Sequence, residues 1–175
     1  ENLPDGIVEI QEGWVESVAV PGTDVFVKGK YDLLVKRDDG TYMIVDLKIS
    51  QADEGKIEKY KTQLGAYKFA LENPASPAGG PKDGKSLKIT KMGLLIFYPD
   101  QAKFENGEAT LSFPPKWLEV PIDDKLFLEF AGKIDKLLAG PPPAESVSCK
   151  WCQYRHVGDQ LAHVGSEPVQ DDLPF

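Results

Sequence analysis

Val25–Ser50 reads VFVKGKYDLLVKRDDGTYMIVDLKIS. Two runs rich in β-branched and aromatic residues flank a polar break at Asp38-Asp39-Gly40. This is the pattern of a β-hairpin whose three-residue loop closes on a glycine free to take positive φ. Such a loop sets Arg37 opposite Thr41, and counting back along both arms sets Asp32 opposite Asp46. Asp46 and Lys48 lie two apart and share a sheet face, while Val45, Leu47 and Ile49 take the other.

Two carboxylates and an ammonium therefore converge on strands that are otherwise apolar. Carboxylates facing each other across about 5 Å repel by roughly 3 kcal/mol at an effective dielectric near 20. A divalent cation turns that repulsion into ligation, because hard ions such as magnesium and manganese take carboxylate oxygens. The lysine then steadies a developing negative charge or orients an attacking water. An edge hairpin whose Asp and Lys face solvent explains the same residues, as does a carboxyl with a raised pKa and no metal.

The next segment, Lys56–Leu71 (KIEKYKTQLGAYKFAL), has Ile57, Tyr60, Leu64, Tyr67 and Leu71 at helical spacing. They predict a helix with a core-facing stripe. Gln63 lies at the edge of the stripe, four residues before Tyr67, so the two side chains are neighbours able to reach toward the acids.

Gly29-x-x-Asp32, Val45-Asp46-Leu47-Lys48 and Gln63-x-x-x-Tyr67, in this order, resemble the PD-(D/E)XK nuclease superfamily. The resemblance is to its RecB-like branch, which includes the CRISPR-associated exonucleases, and it spans roughly Trp14 to Tyr154. It implies an α/β fold with a mixed central sheet flanked by helices, a restriction-endonuclease-like core in a single domain. It further implies metal-dependent hydrolysis of DNA phosphodiesters with magnesium or manganese, acting on single strands or ends in repair, recombination or phage- and CRISPR-type processing. Carried over by position, Asp32, Asp46 and the main-chain carbonyl of Leu47 bind the metal. Lys48 positions water and stabilises the transition state, and Gln63 and Tyr67 help to hold the strand and the site. Glu16, on an expected first strand Trp14–Val18, stands where relatives often carry an acid; a solvated strand residue explains it equally well.

Composition sets the frame. The 175 residues are 41% hydrophobic, enough for one domain with a proper core. No apolar run reaches a membrane span and no signal peptide is recognisable. Because it begins at Glu1, the chain reads as a trimmed or excised piece. Two cysteines three apart argue against a disulfide framework and point to a reducing cytoplasm. The formal charge of −8 disfavours tight nonspecific duplex binding. Two lysine clusters oppose it locally: Lys56, Lys59, Lys61 and Lys68, then Lys82, Lys85, Lys88 and Lys91.

Residues 1–13 read as an extended lead-in, 14–156 as the nuclease-like domain and 157–175 as an acidic tail. Relatives usually place a helix before the first strand that supplies another metal ligand; none is recognisable here. Asn73–Gly84 reads as a loop, and Leu87–Tyr98 as a strand covered on both faces. Glu105-Asn106-Gly107 reads as a hairpin turn before Ala109–Phe113 and Trp117–Val120. Asp123 caps a helix with an expected buried stripe of Phe127, Phe130, Ile134 and Leu137.

Cys149-Lys150-Trp151-Cys152 resembles the cysteine run with which several RecB-like nucleases bind an iron–sulfur cluster. With only two cysteines, four thiolates cannot be assembled in one chain. Cys149, Cys152, His156 and His163 could instead complete a tetrahedral zinc site; a metal-free remnant packed by Trp151 and Tyr154 is the other expectation. Finally, Asp171-Asp172-Leu173-Pro174-Phe175 resembles the acidic tip of bacterial single-stranded-DNA-binding proteins, which docks its Phe in an apolar pocket and its acids on basic residues. That tip suggests a second function class, a weak or inactive nuclease fold that recruits replication and repair proteins. An ordinary acidic tail explains it as well.

Overall fold

The hairpin forms in the register its loop dictates. Gly40 has φ of 79°, Arg37 N–H donates to the Thr41 carbonyl at 2.9 Å, and Leu33 pairs with Val45. The computed structural model describes residues 3–51, 53, 55–75 and 84–164. Its contacts divide the chain into two units, Glu1–Lys136 and Leu137–Phe175.

In the first unit a five-stranded sheet has the order β1-β2-β3-β4-β7. The strands are β1 (Ile7–Ala19), β2 (Phe26–Lys36), β3 (Tyr42–Ile49), β4 (Ile89–Phe97) and β7 (Pro115–Glu119). β3 and β4 are parallel and joined through helix α1 (Gly55–Glu72), while every other pairing is antiparallel. β5 (Gln101–Glu105) and β6 (Glu108–Ser112) make a separate hairpin. Asn106 and Gly107 turn it with φ of 52° and 82°, the left-handed pair that suits a two-residue turn.

α1 lies over one face of the sheet. Leu64 and Leu71 are fully buried against Leu34, Ile44, Leu94 and Ile96, and Ile57, Tyr60 and Tyr67 pack at the margin. The expected stripe therefore forms. The opposite face gathers Val35, Met43 and Val45 with Leu33, Leu95 and Trp117. No described helix is long and apolar enough to cross a membrane.

Three expectations need correction. The first strand begins at Ile7, inside the stretch read as a lead-in. A register shift between Val8 and Ile10 and a left-handed Glu12 (φ 52°) break the alternation that would have marked it. Second, α2 (Asp124–Ala139) is capped by Asp123, whose Oδ1 accepts the Leu126 N–H at 2.9 Å. However, it buries Phe127 and Ala131 against Val20 and Phe69, leaving Phe130 42% and Leu137 56% exposed. The helix docks on a narrower face than its apolar pattern suggests. Third, the lysine clusters are neutralised in part, at Lys61, Lys68 and Lys91, while Lys59, Lys85 and Lys88 have no ion-pair partner among the described residues. Lys61 pairs with Glu58 and Lys91 with Glu119; Lys82 and the Lys56 side chain lie outside the described residues.

Lys68 is the sharpest case. It is buried between Glu72 at 2.7 Å and Asp124 at 2.8 Å, tying α1 to the start of α2. Burial pulls its pKa down, but the hydrogen bonds it donates to Asp124 and Glu72, and their charges, more than offset this, and the value ends raised. A cation held above its unfolded value contributes fully below that unfolded value and loses the contribution only as pH rises through the folded one. The Lys68 contribution is thus present at neutral pH and is lost as pH rises into strong alkali. Lys68→Ala should lower unfolding stability by about 2 kcal/mol in urea titration at neutral pH. A change within error would mean the trio is stabilising nothing.

In the second unit, α3 (Lys150–Val164) starts directly after Cys149. Trp151 and Tyr154, expected to pack a remnant, are 82% and 75% exposed.

Candidate active site

Asp46 lies on the α1 side of β3 and is 3% exposed. Three groups surround it. Lys48 Nζ approaches Oδ2 at 2.5 Å, Gln63 Nε2 donates to Oδ1 at 3.4 Å, and Asp32 is near enough for its charge to act on the Asp46 carboxyl. Gln63 Nε2 also lies 3.3 Å from Tyr67 Oη. The spacing of four along α1 delivers both side chains to the same place.

Asp32 reaches the site through an interruption of β2. Tyr31 and Leu34, three apart, both belong to the core under α1, whereas Leu33 and Val35 belong to the opposite face. Strict alternation cannot give that pattern, so the strand rotates across Asp32-Leu33, beside the left-handed Glu12 of β1. Asp32 Oδ2 accepts the Leu47 N–H at 2.7 Å, which ties its carboxylate to the residue next to Asp46. Gly29 makes room nearby: a Cβ there would lie 3.1 Å from the Tyr67 ring.

Burial pushes the Asp46 carboxyl above the usual carboxylate range. Contact with Lys48 and its charge pull it back, and the Asp32 charge raises it further. For Lys48, burial lowers the ammonium, and contact with Asp46 and its charge, with Tyr60 and Asp32 adding, more than restore it. Lys48 is therefore a cation at neutral pH. Its Nζ stands 4.9 Å from the centre of the Tyr60 ring, a cation–π distance. The sequence placed Tyr60 only among core residues. Its spacing of three from Gln63 and seven from Tyr67 was the available signal that it shares their face.

The donor set suits a hard cation. Asp46 Oδ2 is fully buried, and its close partner is the Lys48 ammonium at 2.5 Å. Asp32 spends one oxygen on Leu47 N–H and leaves the other. These are hard oxygens of the kind that magnesium or manganese takes. No group of three or more His, Cys, Asp or Glu side chains able to hold a metal occurs among the described residues. Glu16 does not join the pair. It faces Lys28 across β1 and β2 in a 2.8 Å ion pair, and its neighbour Val15 is the residue buried under α1.

Three of the four residues of the zinc expectation, Cys149, Cys152 and His156, are described. Cys149 Sγ accepts the Cys152 N–H at 3.5 Å, which with further backbone hydrogen bonding lowers its pKa, while that of Cys152 is raised by its contact with Cys149. His156 Nε2 meets Glu145 at 2.5 Å, and Arg155 pairs with the same carboxylate. Glu145 thus takes Nε2 of the His156 ring. The His163 side chain and residues 171–175, including the acidic tip, lie outside the described residues.

Residues 4–157 match the sequence pattern of the PD-(D/E)XK nuclease superfamily. Among curated proteins none matches the chain. A solved structure named "Crystal structure of SSO0001" is similar with a TM-score of 0.42 at 19% identity, over 84% of this chain and 57% of that one. The chain thus spans little more than half the length of that protein.

Proposed function

Since the chain belongs to the PD-(D/E)XK nuclease superfamily, we propose that it hydrolyses DNA phosphodiester bonds at the Asp32–Asp46–Lys48 site. The observation that carries this is the buried Asp46 carboxylate, held between a protonated lysine and a glutamine with the charge of a second acid, Asp32, close by. A fold using Asp46 only for stability has no reason to bury it beside a second acid, because desolvating a carboxylate is costly unless it is fully paired.

Asp32, Asp46 and the Leu47 carbonyl would hold magnesium or manganese, which supplies charge neutralisation and Lewis-acid assistance when bound. The residues of the chain do the rest. Asp46 orients Lys48 through their ion contact and keeps it charged. The Lys48 ammonium faces the bond to be cut and offsets the negative charge that builds on phosphoryl oxygens in the transition state. It also holds the attacking water by donating a hydrogen bond. Gln63 fixes the Asp46 carboxylate from the helix side and, with Tyr67, limits its rotation. Tyr60 lies against the Lys48 ammonium and restricts where it can reach.

The RecB-like order of motifs supports action on single strands or ends within DNA repair or phage-type processing. Incubation with labelled single- and double-stranded DNA in magnesium or manganese should give cleavage products. A chelator should remove the activity completely, and added metal should restore it. Cleavage that persists in chelator would count against the assignment of the two carboxylates.

A further inference from the structure

The row containing Lys48 continues across the sheet. Lys48 pairs with Ile96 on β4, and Ile96 pairs with Lys116 on β7. Residues paired across neighbouring strands point to one face. The preceding pair agrees, because Leu94 and Leu118 both pack in the core under α1. Lys116, two residues along from Leu118, therefore shares the face of Asp46 and Lys48, two strand spacings (about 10 Å) from Lys48. It is exposed and has no ion-pair partner among the described residues. In this it differs from Lys61, Lys68 and Lys91, which are all neutralised.

At the carboxyl ends of β3 and β4, Lys116 lines a cleft of about 460 Å³ with Gln51, Tyr98, Asp100, Pro114 and Pro115. That volume falls among those of small-ligand sites, roughly 300–1,000 Å³. The Tyr98 ring is 48% exposed, and two prolines add flat, rigid apolar surface. An aromatic base stacks on such walls. Asp100 and Gln51 carry oxygens that can accept from exocyclic amino groups. Asp100 also repels phosphate, which sends a nucleotide's backbone toward Lys116 and its base inward.

We infer that this cleft seats one nucleotide of a single-stranded nucleic acid beside the phosphodiester held at Asp46 and Lys48. Its base lies against Tyr98 and the prolines, and its phosphate lies at Lys116. The inference rests on the nuclease reading for its substrate. A duplex does not fit the same way, since its paired bases are stacked on each other and must be taken out of the stack to present a face. The net charge of −8 agrees with binding through few phosphates and a stacked base rather than through a broad basic footprint.

The test is fluorescence anisotropy of a labelled oligodeoxycytidylate, whose bases carry an exocyclic amino group, on the whole chain, in chelator and over a salt series. Tyr98→Ala should weaken binding about tenfold, and Tyr98→Phe, which keeps the ring, should bind as the parent does. Lys116→Ala should weaken binding and reduce the slope of log affinity against log salt by about 0.7. Blunt duplex should bind more weakly than single strand. Unchanged affinity and slope in both alanine variants overturn the inference. So does equal loss in Tyr98→Phe and Tyr98→Ala, equal affinity for duplex, or no binding by the parent chain. Binding that depends on Tyr98 and Lys116 without cleavage in any metal would retain the cleft and remove the nuclease reading. Cleavage with unchanged binding in the variants would do the reverse.

Discussion

Asp46→Asn should remove cleavage by at least about a thousandfold while the chain stays folded and melts no lower than the parent. Asparagine keeps the size of aspartate and the acceptor facing Gln63, but it loses the negative charge. That charge is what would attract a cation and what holds Lys48 at 2.5 Å. The same charge costs the fold something, because it is buried and stands near Asp32. Removing it relieves desolvation and like-charge repulsion at the expense of one ion contact, so stability should not fall. Lys48→Ala should be equally inactive, since no other described cation contacts Asp46. Rates on labelled DNA in manganese, read beside thermal melts, check both variants. Cleavage within tenfold of the parent in either would remove Asp46 and Lys48 from the chemistry. Inactivity with a large loss of stability would show instead that the site is structural.

Gly93→Ala should lower stability by about 3 kcal/mol. Gly93 pairs with Val45 on one side and Glu119 on the other, in the middle of the sheet. A Cβ at this position would stand 2.4 Å from the Trp117 ring and 2.6 Å from the Leu118 carbonyl oxygen. The indole could swing away, but the carbonyl is part of the β7 backbone and cannot move without the strand. Because β4 also sets the position of Asp46 through Leu94, residual activity should fall along with stability. Gly132 provides the contrast: a Cβ there meets nothing within 4 Å, and in a helix Gly132→Ala should raise stability by up to about 1 kcal/mol. Urea midpoints for the two variants should move in opposite directions, and a shared direction would refute the steric account of Gly93.

Readings that depend on neighbouring residues were legible from the sequence. The Asp38-Asp39-Gly40 loop specifies its own backbone, and the pairing of β2 with β3 follows from it by counting. The same holds for the stripe of α1, the Asn106-Gly107 turn and the Asp123 cap. The spacing of Asp46, Lys48, Gln63 and Tyr67 is likewise local, so their common face could be read in advance.

Other features depended on groups far apart in the chain. The rotation of β2 at Asp32 occurs beside a left-handed residue twenty positions earlier. Lys68 looked like surface charge because its partner Asp124 is 56 residues away. Glu16 looked available until Lys28 was found opposite it, and Lys116 gained its place only when β7 paired with β4. By itself the sequence determined which elements form and which residues share a face, because turn closure and side-chain periodicity act over a few bonds. Tertiary structure alone decided which acid is buried and which cation stands beside the cleft, because those outcomes depend on distances set when remote strands pack together.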